Sequence, residues 1–181
     1  MEKSEWYTNR ILWKANQHRL LEKRCLSFDN LNASQLSTLA PINHTGKRLL
    51  VFYESADLWT MLTSNEVISF FDGKLHTASL DDIGKNIQLV RPKVAMSDQD
   101  AKKTACFIHI KNIDDNIWVP EGEELFAMMN ILRMFPLSLP CINNHPQHNH
   151  PQANQRESLC HTMNVILWGQ IPYSNGCFRQ P

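Results

Sequence analysis

Residues 58–83, LWTMLTSNEVISFFDGKLHTASLDDI, crowd three short apolar runs together with only two or three turn residues between them. Runs of that length and spacing call for antiparallel hairpins, because a parallel crossover needs a dozen or more residues. Asp72-Gly73 is the firmest point. Both central residues of a tight hairpin turn need positive φ, which Asp and Gly tolerate, so Phe71-Asp72-Gly73-Lys74 predicts a two-residue turn.

The strand period extends well beyond this stretch. Arg48–Tyr53, Leu58–Thr63, Glu66–Phe71, Leu75–Leu80, Asn86–Val90, Thr104–Ile110 and Asn116–Val119 read as seven strands. RPKVAMSDQDAKK, between the fifth and sixth, reads as an exposed loop. After Pro120, three glutamates precede an apolar stripe of Leu125, Met128, Met129, Leu132 and Phe135, which predicts an amphipathic helix stopped by Pro136. Ahead of the strands, residues 4–26 predict a helix with Trp6, Trp13 and Leu20 at seven-residue spacing, widened by Ile11, Leu12 and Leu21. A second helix, NLNASQLSTLA, is expected from a cap at Asp29 or Asn30 to Pro41.

Seven strands and a closing helix form the element order of pleckstrin-homology (PH) domains. Met61-Leu62-Thr63-Ser64-Asn65, Val67-Ile68-Ser69-Phe70-Phe71 and Leu80-Asp81-Asp82-Ile83 resemble the bacterial PH and GRAM-type variants of that fold. The resemblance covers about residues 47–135. It implies a mainly β fold, a curled seven-strand sheet or barrel with a C-terminal capping helix, preceded by the N-terminal helix. The expected organisation is a helical segment over 1–42, a PH-like domain over 43–136 and a Pro/His-rich arm over 137–181. Residues 136–181 carry six of the nine prolines and four of the eight histidines. The expected source is bacterial.

Lys plus Arg balances Asp plus Glu at 18 each, so the chain has no net field for nucleic acid, and none is expected as a partner. The N-terminus lacks a long apolar stretch of the signal-peptide kind, and the longest apolar runs fall short of a membrane span. Five cysteines without a CxxC pair suit reduced thiols, so a cytoplasmic protein is expected.

Phosphoinositide-reading PH domains carry basic residues between their first two strands, where this chain has Glu54-Ser55-Ala56-Asp57. That departure argues against inositol-phosphate recognition by that route. Cys106 and His109 lie three apart on one expected strand, which points them to opposite faces and denies them a dyad. No GxSxG, P-loop, HExxH or GxGxxG occurs, so no catalytic residue is assigned and no cofactor is expected. Cys141, His145, His148, His150, Cys160 and His161 supply metal-ligand chemistry without the spacing of a standard zinc site, and only weak metal affinity is expected of them.

The leading expectation is a non-catalytic PH-like binding or scaffolding module acting through a protein partner or through self-association. Trp6, Trp13 and Leu20 are the expected contact residues on the helix. Val165, Ile166, Leu167 and Trp168 form a short segment suited to adding to a strand edge. Two alternatives remain open. One is peripheral membrane binding through the N-terminal helix, which has six Lys or Arg in its first 24 residues against three acids. The other is an enzyme with an unrecognised site.

Overall fold

The computed structural model describes residues 2–93 and 97–137. The chain opens with helix α1 (Lys3–Gln17) and a 3-10 turn (Leu20–Glu22), followed by strand β1 (Cys25–Ser27) and helix α2 (Ala33–Leu39). An antiparallel run follows: β2 (Arg48–Ser55), β3 (Leu58–Thr63), β4 (Glu66–Phe71) and β5 (Lys74–Ser79). The short helix α3 (Leu80–Ile83) leads to β6 (Ile87–Leu89), helix α4 (Asp98–Thr104), β7 (Phe107–Ile110), β8 (Asp115–Trp118) and helix α5 (Glu123–Leu132).

The fold is mainly β with helices, and its strands form two antiparallel sheets, ordered β1-β2-β3-β4-β5 and β6-β7-β8. This corrects the expected single curled sheet of seven strands: among the described residues there is no closed barrel. The physical reason lies between β5 and β6. Ser79 caps α3 by accepting the Asp81 N–H, and Gly84 follows at φ 63°, so the chain leaves the first sheet before β6 begins. The two aspartates belong to that helical turn and not to a corner of a continuous sheet.

The Asp72-Gly73 turn has the expected geometry, with φ of 50° and 70°, and Phe71 pairs with Lys74. Three helices differ from expectation. The segment read as a loop contains α4, because Ser97 accepts the Asp100 N–H, acids occupy the first turn and Lys102 and Lys103 the last. The first helix stops at Gln17, since Arg19 takes the left-handed conformation, φ 51°, and turns the chain toward β1. Helix α2 starts later than expected, because Asn32 and Gln35 form a reciprocal capping box.

Both faces of the larger sheet are buried, which is why β2 reads as an almost unbroken apolar run. Val51, Trp59, Met61 and Ile68 form one cluster with Leu31 and Leu39. Leu50, Phe52, Leu62, Val67 and Phe71 face the other way, into the main core with the second sheet and α5. Helix α1 joins that same core through Tyr7, Ile11 and Ala15, and the Tyr7 ring meets Phe135 edge-on at 4.8 Å. The boundary expected at residue 42 therefore separates no independent body: β1 pairs with β2, and α1 packs on α5.

Two polar clasps hold the N-terminal segment. The Asp81 carboxylate accepts from Lys3 Nζ at 2.5 Å and from the Tyr7 hydroxyl at 2.7 Å, and both hold its pKa below the usual carboxylate range. Arg24 Nε donates to Glu124 at 3.1 Å. Burial alone would raise the Glu124 carboxyl, but the Arg24 and backbone hydrogen bonds outweigh it and the net direction is down.

The sheets meet at a buried polar joint. The backbone bond from Val119 N–H to the Cys106 carbonyl sets the alternation of β8, so Ile117 faces β7 while Trp118 turns its N–H and C=O outward. Ser69 Oγ accepts that N–H at 3.1 Å, Thr60 Oγ1 donates to that carbonyl at 2.5 Å, and the two hydroxyls touch at 2.7 Å. Thr60 and Ser69 are 0% exposed, so neither edge group has water as a substitute.

Two outcomes follow. Ser69→Ala should cost about 1–3 kcal/mol in denaturant unfolding, because it orphans a buried N–H. Adding Thr60→Val should cost less than the sum of the single changes, since the hydroxyls share one network. For the clasps, lowered carboxylate pKa values confer stability that is present above the unfolded carboxylate range and is lost as pH falls through and below it. Melting followed from neutral to acid pH should show that loss, and Glu124→Gln should flatten it more than Asp81→Asn. Glu124 has a 9% exposed side chain, whereas the 47% exposed Asp81 pair is screened by solvent.

Candidate functional site

An antiparallel sheet of three strands has two outer edges, and in β6-β7-β8 they are treated differently. The β8 edge is closed by Thr60 and Ser69. At β6, the bonds Val90 N–H to Phe107 C=O and Lys111 N–H to Asn86 C=O bracket the ladder, so even-numbered residues face β7. Ile87 and Leu89 therefore turn their backbone groups outward. Arg133 Nη2 donates to the Ile87 carbonyl at 3.3 Å, and the Ile87 N–H folds back to Lys85. No described residue pairs with the Leu89 N–H or C=O.

Beside that edge lies a cleft of about 470 Å³ between β6, α4 and α5. Leu89, Ala101, Phe126 and Met129 supply apolar surface, and Arg91, Lys102 and Arg133 are its cations. Phe126 is 39% exposed on a helix whose other apolar residues are almost all buried. Arg91 is held to Asp98 at 2.8 Å, while Lys102 has no described carboxylate partner. An extended segment laid here would gain backbone pairing from Leu89 and apolar contact from Phe126.

Two other clefts frame the alternatives. One, at the base of α1, is lined by Glu2, Lys3, Tyr7, Asp81 and hydroxyl side chains, and Asp81 there is already engaged by Lys3 and Tyr7. The other lies between Leu58, Phe71, Cys106, Phe107 and Trp118, with Asp57 and Asp72 at its rim.

The fold also assembles a serine, a histidine and a carboxylate that no sequence motif announced. Ser69 and His76 are cross-strand partners, and His76 Nδ1 lies 2.8 Å from Asp115. This is not a working triad geometry. His76 Nε2 is buried with no described partner, and the serine hydroxyl is committed to Trp118 and Thr60 in a site with no exposure. The His76 ring stacks on Phe71 at 4.0 Å, which serves packing. Neither described thiol is activated: burial pushes Cys25 up to about 12, and burial, with Glu121 nearby, raises Cys106.

Of the contact residues expected on the first helix, Leu20 is 0% exposed and belongs to the core. Its seven-residue spacing from Trp13 is broken by the end of α1. The buried row is Tyr7, Ile11 and Ala15, at four-residue spacing, which leaves Trp6 half-buried and Trp13 48% exposed on the flank. Val165, Ile166, Leu167 and Trp168 lie outside the described residues, as do Cys141, His145, His148, His150, Cys160 and His161. Among the described residues there is no cluster of three metal-ligating side chains, and no helix is long and apolar enough to cross a membrane. Comparison with protein families, curated proteins and solved structures finds no match to this chain.

Proposed function

We propose that this chain is a non-catalytic, PH-like binding module that captures an extended segment of a protein partner along β6. The observation that carries the reading is the contrast between the two edges of the smaller sheet. One is closed by buried hydroxyls, and the other presents the Leu89 backbone beside an apolar cleft. Edges left available in this way are covered or used. The PH-like part of the reading rests on the element order: β2 to β5, then β6 to β8, then α5, with β1 as an N-terminal addition to the first sheet.

The same edge is suited to self-association, because two copies of β6 can pair antiparallel through their Leu89 groups. The reading predicts that peptides selected on the full chain from a random display library bind in extended form. Leu89→Pro should reduce their affinity at least tenfold while leaving the fold intact, because the lost N–H is not used in the ladder. Phe126→Glu should do the same by charging the apolar wall. Selected peptides that bind both variants as tightly as the parent chain would sink the reading, and so would a library that enriches nothing. Light scattering after size exclusion, on parent and Leu89→Pro, reports whether copies use the edge on one another.

A further inference from the structure

The outer flank of α1 has a composition that the packing of the helix does not require. From Trp6 to Leu21 the sequence contains Arg10, Lys14 and Arg19 but no acidic residue. None of the three has a carboxylate partner among the described residues. The Arg10 guanidinium lies over the rings of both Trp6 and Trp13, at 4.9 and 5.4 Å from their centroids, and Lys14 sits 5.6 Å from the Trp13 ring. Tyr7, Ile11 and Ala15 are buried and Trp6 is half-buried against the main core, while Trp13 is 48% exposed, so the ladder runs from the edge of the core out to solvent. Leu21, in the turn that follows, is 53% exposed.

From this arrangement we infer that the Trp6–Arg10–Trp13–Lys14 flank of α1 is a docking surface for an anionic lipid bilayer. The charge is complementary: unpaired cations beside an exposed indole match a headgroup layer, where tryptophan sits at the apolar boundary and cations meet phosphate and carboxylate. The shape decides between a bilayer and an acidic peptide. The flank is the convex outside of a helix, and none of the three clefts described above is lined by Trp6, Arg10, Trp13 or Lys14. A peptide needs a groove or a strand edge to gain backbone pairing, whereas a bilayer needs neither. The surface uses no loop of either sheet and is independent of the β6 edge.

The test is co-sedimentation of the full chain with phosphatidylcholine vesicles, with and without phosphatidylserine, over a range of salt. The expected result is binding that requires phosphatidylserine and weakens as salt rises. Arg10→Gln with Lys14→Gln should lower the partition coefficient by about twenty-five-fold, at about fivefold per cation, and Trp13→Ala by several-fold. Lys74→Gln, in the β4–β5 hairpin, should change it little. Circular dichroism of each variant should match the parent, because the changed side chains lie outside the buried stripe. Four results would overturn the inference: no vesicle binding, equal binding to both vesicle types, an equal loss on Lys74→Gln, or tighter binding to poly-glutamate with the same sensitivity to the α1 changes.

Discussion

The two sheets are held in register by three buried hydrogen-bonding groups: the hydroxyls of Thr60 and Ser69 and the backbone of Trp118. A sheet edge that enters a core must have its N–H and C=O groups satisfied, or each costs as much as a lost hydrogen bond. Here the partners are side chains from the face of another sheet, so the edge of β8 stops against β3 and β4 without adding a strand. That arrangement sets where the edge of the smaller sheet meets the face of the larger. It also leaves β6 as the edge of that sheet farthest from the joint, next to α5. The cleft proposed as a binding site follows from how the core was closed on the other side.

Much of the strand domain was legible because its signals are local. Leu58–Thr63 and Glu66–Phe71 appear at the boundaries their alternation and turn residues indicate, and Asp72-Gly73 takes the positive φ values its chemistry allows. The division into two sheets was not legible. It depends on Ser79 and Gly84 ending the run of hairpins, and a single Ser-Leu-Asp-Asp string reads equally well as a strand end. Strand β1 was hidden for a related reason: three residues give too short a period, and Cys25–Ser27 is a strand only because β2 lies beside it.

The candidate site was less visible still. The sequence shows that some strand edge must be managed, but it does not show which. The answer depends on hydrogen-bond parity, and parity appears only once β6 and β7 are in register. The same limit applies to Ser69, His76 and Asp115, which are brought together by the β4–β5 pairing and the packing of β8 against that sheet, and share no motif. Their approach shows how a fold can gather a catalytic-looking set from residues whose described contacts hold two sheets together. The α1 ladder lies at the other extreme, since its charge pattern could be read directly and only the direction it faces required coordinates.

The contact between Tyr7 and Phe135 joins opposite ends of the described chain. Helix α1 precedes both sheets in the chain, yet the surface that receives it is completed by α5, the last described helix. During synthesis its apolar stripe has no place to dock until the whole of both sheets has left the ribosome. Contacts of such long sequence separation form slowly, because the intervening chain must be ordered before they are rewarded. The N-terminal helix thus completes its packing only after the sheets it precedes in the chain, and until then nothing in those sheets covers its tryptophans and cations.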